Sequence, residues 1–248
     1  MKTKKVLLAG LLVNIMNVAG AQDKSDLNSP PTGYFELGVG LTQPMGHFAN
    51  EMGTSYGTYA LPGNDFSLSF GVPIDHSYFG VAFMYSYYYN AYDINTYVDN
   101  IQVSDQTNSY YPLRRDGYSE NMIMGGLYVT IPAKRLSLDF RVLGGVALCA
   151  LPEVDYGAEA TSLTATNDFE WDTYHSNSSA FAFDVGGGLR YRFWRTTLMA
   201  GVDFVTTSVM ANTTQQYTDQ YGNASYTHIS NTVPISLMSY SIGIGYSF

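Results

Sequence analysis

The chain has 248 residues, with 12 basic and 21 acidic side chains and a formal net charge of −9. An acidic chain is a poor partner for nucleic acid, since the phosphate backbone attracts basic surfaces. Charged residues make up 13% of the chain, about half of the usual share, whereas aromatic residues make up 15% and include 22 tyrosines. The single cysteine, Cys149, excludes an internal disulfide bond.

The N-terminus is typical of a secretory signal peptide. Three lysines lie within residues 1–5, residues 6–13 form a short apolar core, and Ala19-Gly20-Ala21 fits the small-x-small rule for cleavage. The apolar core is shorter than a membrane-spanning helix requires, although a membrane-anchoring helix is the alternative. Cleavage would leave 9 of the 12 basic residues against 21 acidic ones, a net charge of −12.

The rest of the chain repeats a period-two pattern in eight segments. Successive side chains of a strand point to opposite faces, so each segment has one apolar face and one small or polar face. Each is near or above the ~9–11 residues that a tilted transmembrane strand needs. The predicted strands are Gly33–Thr42, Asn64–Val72, Tyr78–Tyr89, Ser119–Ile131, Leu136–Ala150, Ser179–Phe193, Thr196–Val209 and Val233–Phe248.

The connections between these segments alternate in length. Three are tight turns, near 73–77, 132–135 and 194–195. The four others are long, at about 46–63, 90–118, 151–178 and 210–232. Short turns on the periplasmic side and long loops outside are typical of outer-membrane barrels.

These patterns predict an all-β fold, an eight-stranded antiparallel transmembrane β-barrel with short periplasmic turns and four long external loops. The domain division is a signal peptide at 1–21, a short periplasmic stub at 22–32 and the barrel at 33–248. A soluble β-sandwich or lipocalin-like barrel, with its apolar face turned inward, is the alternative fold. Ten strands remain open if part of the 90–118 or 151–178 connection pairs as an extra hairpin above the membrane.

The inward-facing register carries charged residues of both signs. Arginine forms forked pairs with carboxylates, and an eight-stranded barrel is just wide enough for side chains to fill. We therefore expect a polar network that plugs the lumen, with a gated ion path through it as the alternative. Glu120 is expected near the outer rim, and the network comprises Glu36, Asp139, Arg141, Asp184, Arg190, Arg192 and Asp203.

Histidines are the natural candidates for catalysis at the outer mouth. His47 follows the first strand, and His228, with Ser225 or Ser230, precedes the last one. The first and last strands are neighbours in a closed barrel, so a nucleophile and a base could meet there. His76 and His175 lie in a turn and a loop. The primary expectation is nevertheless no catalytic residue, no metal site and no cofactor.

The long loops indicate contact outside the cell. Residues 90–118 and 151–178 are rich in Tyr, Asp, Asn, Ser or Thr, a composition suited to a carbohydrate or protein ligand. Acidic clusters could also bridge through divalent cations to lipopolysaccharide. The expected partners are thus the lipid bilayer, lipopolysaccharide and an extracellular ligand at the loops.

Several motifs resemble those of a known group of proteins. The Gly38-Val39-Gly40 and Gly243-Ile244-Gly245 strands, the Ala-Gly-Ala cleavage signal and the terminal Tyr246-Ser247-Phe248 are similar to those of small outer-membrane β-barrel proteins of Bacteroidota. The strand count is similar to OmpA-type and OmpX-type barrels. The resemblance implies that the terminal strand is the recognition signal for the barrel-assembly machinery, carried here by Tyr240, Ile242, Ile244, Tyr246 and Phe248.

The function that follows is a non-enzymatic role in the outer membrane, reached by export through the cleaved signal peptide. The role is either envelope integrity or surface contact such as adhesion. The alternatives are a lipid-A-modifying enzyme at the outer mouth and a narrow ion channel.

Overall fold

The computed structural model describes residues 33–49, 58–75, 77–104, 108–114, 116–160, 169–175 and 177–248. The signal peptide predicted at 1–21, the stub predicted at 22–32 and His76 lie outside these residues. The described part contains eleven strands, one α-helix and a 3₁₀ turn at Gly46–Ala49. They are β1 Tyr34–Pro44, β2 Gly63–Pro73, β3 Phe79–Ala91, α1 Ile94–Ser104, β4 Asn108–Arg114, β5 Gly117–Ala133, β6 Leu136–Ala150, β7 Val154–Ala160, β8 Phe169–His175, β9 Ser178–Phe193, β10 Thr196–Asp219 and β11 Ala224–Ser247.

Eight strands form a closed antiparallel ring in the order β1-β2-β3-β5-β6-β9-β10-β11. The ring closes where β1 pairs with β11, with Val39 opposite Ile242 and Tyr34 opposite Ser247. This arrangement confirms the predicted eight-stranded barrel. Closure leaves no strand edge within the ring, which a lipid environment requires because it cannot hydrogen-bond to free backbone groups.

The side chains of the ring alternate as the sequence pattern predicts. Outward-facing apolar side chains such as Ile242 (68% exposed) and Leu198 (56%) surround the barrel, whereas the inward-facing carboxylates of Glu36 (1%) and Asp184 (0%) are buried. A soluble barrel with an apolar lining and a polar exterior does not fit this arrangement. The outer face is suited to hydrocarbon, and the structure is that of a small outer-membrane β-barrel.

Tight turns join the strands at one end. The β5–β6 and β9–β10 turns begin at Lys134 (φ 61°) and Trp194 (φ 59°), and positive φ at the first turn residue is what two-residue hairpin turns need. Both described chain ends, Gly33 and Phe248, lie at this end, where the Phe248 N–H donates to the Gly33 carbonyl at 3.1 Å. This is the predicted periplasmic end.

The predicted connection at 210–232 is instead a long hairpin. β10 and β11 stay paired from Thr196↔Tyr246 up to Thr218↔Ala224, and Asp219 closes the turn by accepting the N–H groups of Tyr221 and Asn223. Above the bilayer neither face of a strand must be apolar, so the alternation that marks a membrane strand disappears although the pairing continues.

Two further connections also contain regular structure. The 90–118 connection holds α1 and β4, and the 151–178 connection holds β7 and β8. These strands pair in the order β10-β8-β7-β4, so they continue the sheet sideways from the outer half of β10 and add no strand to the ring. We call α1, β4, β7, β8 and residues 212–231 of the β10–β11 hairpin the external platform. No helix in the described ranges is long and apolar enough to cross a membrane.

A lysine in place of an outward-facing residue tests the orientation of the ring. Ile242→Lys places a charge where the structure has a lipid-facing side chain, and we expect a loss of about 2–4 kcal/mol in unfolding free energy. Thr227→Lys is the matched control, since Thr227 is exposed on the platform part of the same strand. Urea unfolding in lipid vesicles measures both. Equal stability of the two variants would contradict a lipid-facing Ile242.

Candidate functional site in the lumen and the external platform

A first charged cluster lies in the periplasmic half of the lumen. The guanidinium of Arg190 contacts Glu36 (Nε–Oε1, 2.5 Å) and Asp139 (Nη1–Oδ2, 3.2 Å). It also lies 4.2 Å from the ring centroid of Tyr34, whose ring meets Tyr128 edge-on at 5.3 Å. The cluster joins β9 to its neighbour β6 and to β1, which lies three strands away around the ring.

A second cluster lies further toward the outer end. Arg141 contacts Asp203 (Nη2–Oδ2, 2.6 Å) and, more loosely, Asp184 (Nε–Oδ1, 4.0 Å). Asp65 reaches toward the same charges, and its Oδ1 accepts the Ser239 hydroxyl at 3.0 Å. One guanidinium therefore shares this part of the lumen with three carboxyl groups, more acidic groups than it can pair with closely.

The space for these carboxyl groups comes from glycine. A Cβ at Gly186 would overlap the Asp203 carboxylate and press on Arg141. A void of about 20 Å³ lies between the two clusters, beside Tyr128 and Met199, and this is room for a single water molecule. Arg192 lies nearer the periplasmic rim, where it lines a hollow with Lys134 and Arg135.

Apolar side chains fill most of the outer half of the lumen, which the sequence reading of the inward register did not predict, although Thr42, Ser86 and Asn90 are buried there too. Phe48, from the 3₁₀ turn, is fully buried here and meets the ring of Tyr118 at 4.9 Å. The Tyr118 hydroxyl donates to the Thr58 carbonyl at 2.7 Å, and the Thr58 hydroxyl donates to the Phe48 carbonyl at 2.8 Å. The layer below them consists of Met84, Met122, Met124, Leu143, Val205, Val209, Ile235 and Leu237.

Glu120 lies beside this apolar layer, near the outer rim as expected. It is fully buried, and in the part of the chain that the structure describes neither of its carboxyl oxygens has a hydrogen-bond partner. Its partners in register on the two adjacent strands are Tyr88 of β3 and Cys149 of β6. Glu120 is therefore a buried polar side chain within the mainly apolar outer half of the lumen.

The histidines considered for catalysis are not brought together with the serines. His228 Nδ1 lies 2.9 Å from the Thr214 hydroxyl, whereas the Ser230 hydroxyl donates to Asn212 at 2.8 Å. His47 is exposed on the 3₁₀ turn and contributes its backbone carbonyl to Thr58. Thr214 is the only hydroxyl residue that the described contacts give to the imidazole ring of either histidine.

The external platform has an apolar core of its own. Asp93 caps α1, since its carboxylate accepts the Thr96 N–H at 3.2 Å. Ile94 and Val98 are one helical turn apart and pack with Val154 and Tyr156 of β7, all at most 8% exposed. Such spacing along one helical face is what an amphipathic helix needs to pack on a sheet.

Aromatic rings connect this core from the mouth of the barrel to its outermost hairpin. Centroid distances are 5.4 Å for Tyr59–Tyr97, 5.8 Å for Tyr97–Tyr156, 6.3 Å for Tyr156–Trp171 and 6.0 Å for Trp171–Tyr217. Burial raises the pKa of both Tyr97 and Tyr156. The chain of rings packs α1, β7, β8 and β10 together as one unit.

The two edges of the platform sheet differ. The Gln102 side chain of α1 takes the place of a neighbouring strand at the free edge of β4. Its amide group donates to the Asn108 carbonyl at 2.7 Å and accepts the Tyr110 N–H at 2.8 Å. On β11 no described strand pairs with residues 224–235 on the side facing away from β10. Among the residues that the structure describes, one edge is thus capped and the other is bare.

The platform face opposite α1 is acidic. Asp155 and Asp172 lie directly opposite each other on β7 and β8, with Glu170 in the next row. Burial and the charges of Asp155 and Glu170 together raise the pKa of Asp172. Arg114 forms ion pairs at the end of this sheet with Glu153 and with Asp116.

Two features that the sequence analysis did not predict are α1 and the apolar layer in the lumen, and the sequence contains a signal for the first. Asp93 followed by Ile94, Val98 and Ile101 is a helix start with apolar residues at the spacing of one helical face. In contrast, Met122-Ile123-Met124 is apolar in both registers. An outward-facing row cannot be told from a lumen-filling row there by alternation alone.

Arg141 lies close to Asp203 and farther from Asp184, so the two carboxyl groups should respond differently to substitution. Asp203→Asn removes the close partner and leaves the guanidinium poorly compensated, so we expect a loss of about 3 kcal/mol in unfolding free energy. Asp184→Asn is the same isosteric change at the distant partner, and because it removes a buried carboxyl group that has no close contact with Arg141 we expect unchanged or increased stability. Urea unfolding at neutral pH measures both. A larger loss for Asp184→Asn than for Asp203→Asn would contradict the pairing described above.

The platform core predicts that the platform and the barrel can be separated by mutation. Val98→Asp places a charge among Ile94, Val154 and Tyr156, and we expect the platform to become protease-sensitive while the barrel keeps its heat-dependent mobility on SDS gels. Val103→Asp, on the exposed side of α1 (77% exposed), is the control and should stay resistant. Loss of the folded barrel band in Val98→Asp would show that the platform is not a separate unit.

No protein-family model and no curated protein matches the chain. Among solved structures the chain is similar to Neisserial surface protein A (12% identity, TM-score 0.47), covering 88% of this chain and 97% of that one. A major outer membrane protein from Thermus thermophilus gives 12% identity and a TM-score of 0.45, with coverages of 87% and 99%. Ail of Yersinia pestis, determined in complex with the heparin analogue sucrose octasulfate, gives 11% identity and a TM-score of 0.36, with coverages of 87% and 99%. At sequence identities this low, the similarity concerns the fold and not the function.

Proposed function

We propose that the protein is a non-enzymatic outer-membrane protein whose external platform makes contacts at the cell surface. The observation that carries this proposal is the platform core around Val98 and Tyr156. Loops that only cover a barrel mouth need no helix, no additional sheet and no apolar core. A rigid platform lowers the entropic cost of binding a partner.

The contact surface in this proposal is the bare β11 edge and the hairpin tip next to it. Unpaired backbone groups of an edge strand pair readily with an extended peptide. Tyr221 (79% exposed) and Tyr226 (59%) project from the same hairpin, and exposed tyrosines bind at low entropic cost. The partner that fits is an extended segment of an extracellular protein.

The lumen in this proposal is a plug rather than a path. The Arg190 and Arg141 clusters occupy the periplasmic half, and the apolar layer with Phe48 closes the outer half. Ions crossing it would have to displace fully buried apolar side chains. These features favour a scaffold over the narrow-channel alternative, and the His228–Thr214 contact gives little support to the lipid-A-modifying alternative.

The remaining partners are proposed from position. An outward-facing row on β11 and just beyond its end consists of Tyr240 (53% exposed), Ile242 (68%), Ile244 (38%), Tyr246 and Phe248 (47%). This row would face the lipid bilayer, and it would be read by the barrel-assembly machinery during insertion. Lipopolysaccharide would surround the outer rim. Export through the signal peptide at 1–21 belongs to the same proposal.

The test compares cells that display the wild-type chain with cells that display Tyr221→Ser/Tyr226→Ser. Attachment to surfaces coated with extracellular-matrix protein is measured, and resistance to detergent reports envelope integrity. We expect attachment to fall several-fold in the variant, toward that of cells lacking the protein, with unchanged detergent resistance. Tyr78→Ser/Tyr191→Ser, at exposed positions toward the periplasmic end of the ring, is the control for loss of tyrosine.

A second outcome of the same experiment would contradict the proposal of surface contact. If cells with and without the chain attach equally, and only detergent resistance depends on the chain, the role is envelope integrity and the proposal of surface contact is wrong.

A further inference from the structure

Basic side chains gather at the periplasmic mouth of the lumen. Outside the two charged clusters of the lumen, the basic residues that the structure describes are Arg114 on the platform and Lys134, Arg135, Arg192 and Arg195 at the tight-turn end. The β5–β6 and β9–β10 turns lie side by side there, since the Arg192 N–H donates to the Arg135 carbonyl at 2.7 Å. In a chain with a net charge of −9, this end is the exception.

A small hollow lies among these side chains, and we call it the periplasmic hollow. Its volume is about 30 Å³, and its lining includes Thr130, Lys134, Arg135, Ser137, Arg190 and Arg192. Ser247 of β11 lines it as well, although β11 lies two strands from β9 around the ring. The hollow therefore spans part of the mouth of the barrel.

The periplasmic hollow belongs to the lumen and not to the lipid-facing surface. Arg192 alternates along β9 with Tyr191 (41% exposed) and Phe193 (51%), which face outward, and Thr130 is buried on the inward face of β5. Successive side chains of a strand point to opposite faces. A ligand of the hollow thus approaches through the aqueous periplasm rather than from the lipid around the ring.

The lining is basic and includes no Asp or Glu. Arg190 is 6% exposed, and it contacts Glu36 through Nε and Asp139 through Nη1, so its Nη2 takes part in neither ion pair. Lys134 and Arg135 are exposed at the rim. Guanidinium groups held in place by a folded chain are well suited to bind an anion.

The size of the hollow favours a carboxylate as this anion. A single water molecule needs about 10–15 Å³ of such space, so there is room for about two water molecules, which is close to the size of one carboxylate group. Thr130, Ser137 and Ser247 add hydroxyl donors. Because Lys134 and Arg135 lie at the rim, further carboxylates of the same ligand can reach them from outside the hollow.

We propose that the periplasmic hollow binds an acidic peptide, with one carboxylate held between Arg190 and Arg192 and further carboxylates over Lys134 and Arg135. The proposal depends on the periplasmic position of the tight turns. It is independent of the surface contact proposed for the platform, which lies at the opposite end of the barrel and has an acidic face.

The test uses the full chain folded in phosphatidylcholine nanodiscs, whose lipid has no net charge. Fluorescence anisotropy at low ionic strength, where contacts between exposed charges are least screened, measures the binding of a labelled tetraglutamate peptide. Lys134→Gln/Arg135→Gln removes both charges of the rim, and we expect about a tenfold loss of affinity.

Arg195→Gln is the matched control at the same end of the barrel. The Arg195 guanidinium donates to the hydroxyl of the outward-facing Tyr246 at 2.8 Å, and Arg195 does not line the hollow. Arg114→Gln removes a charge from the platform instead. Both variants should bind the peptide like the wild type.

Three results would overturn the proposal. The first is equal affinity of the wild type and Lys134→Gln/Arg135→Gln when both show the heat-dependent mobility of a folded barrel. The second is an equal loss of affinity in Arg195→Gln, which would mean that the peptide follows the charge of the rim and not the hollow. The third is displacement of the peptide by inorganic phosphate at far lower concentration than by acetate, which would mean that the hollow is a phosphate site. None of these results changes the attachment measured with Tyr221→Ser/Tyr226→Ser, so the two proposals fail separately.

Discussion

Backbone hydrogen bonding in hydrocarbon is the constraint on which this structure depends. Every N–H and C=O group within the bilayer must find a partner inside the protein, and the pairing of β1 with β11 provides the last set of partners by closing the ring. Closure fixes which side chains face inward. Once the apolar row faces lipid, the other row must fill an interior only wide enough for side chains.

The interior is filled in two different ways along its length. Charged side chains fill the periplasmic half, where Arg190 and Arg141 each form ion pairs with carboxyl groups of other strands. These pairs link strands that are neighbours or lie two strands apart, and Arg190–Glu36 also links β9 to β1, three strands away around the ring, but they offset little of the cost of burying the ions. The outer half uses apolar packing below Phe48, which is stabilising without any requirement for exact partners. The platform stands on this packed half, and its aromatic chain continues the packing beyond the membrane.

The sequence predicts the barrel well because the membrane imposes a strict alternation. β6 has the predicted bounds, Leu136–Ala150, and the periplasmic turns lie where the short connections suggested. The outer ends are less predictable, since β10 and β11 continue beyond Val209 and Val233 without an apolar face. The charged lumen residues are readable from their register, but Met122 and Met124 are not, because Ile123 between them is apolar as well.

The measurement that decides whether the lumen is closed uses the native cysteine. Cys149 faces the outer half of the lumen and is 1% exposed, so a packed interior shields its thiol from a water-soluble maleimide. We expect labelling of the folded barrel to be about 100-fold slower than labelling of the urea-unfolded chain. A Cys149→Ser/Ser225→Cys variant, with its thiol on the exposed platform strand, should react rapidly in the folded state. Labelling of Cys149 in the folded barrel at the rate of the unfolded chain would mean that water enters the lumen from outside, and the closed, packed interior described here would be wrong.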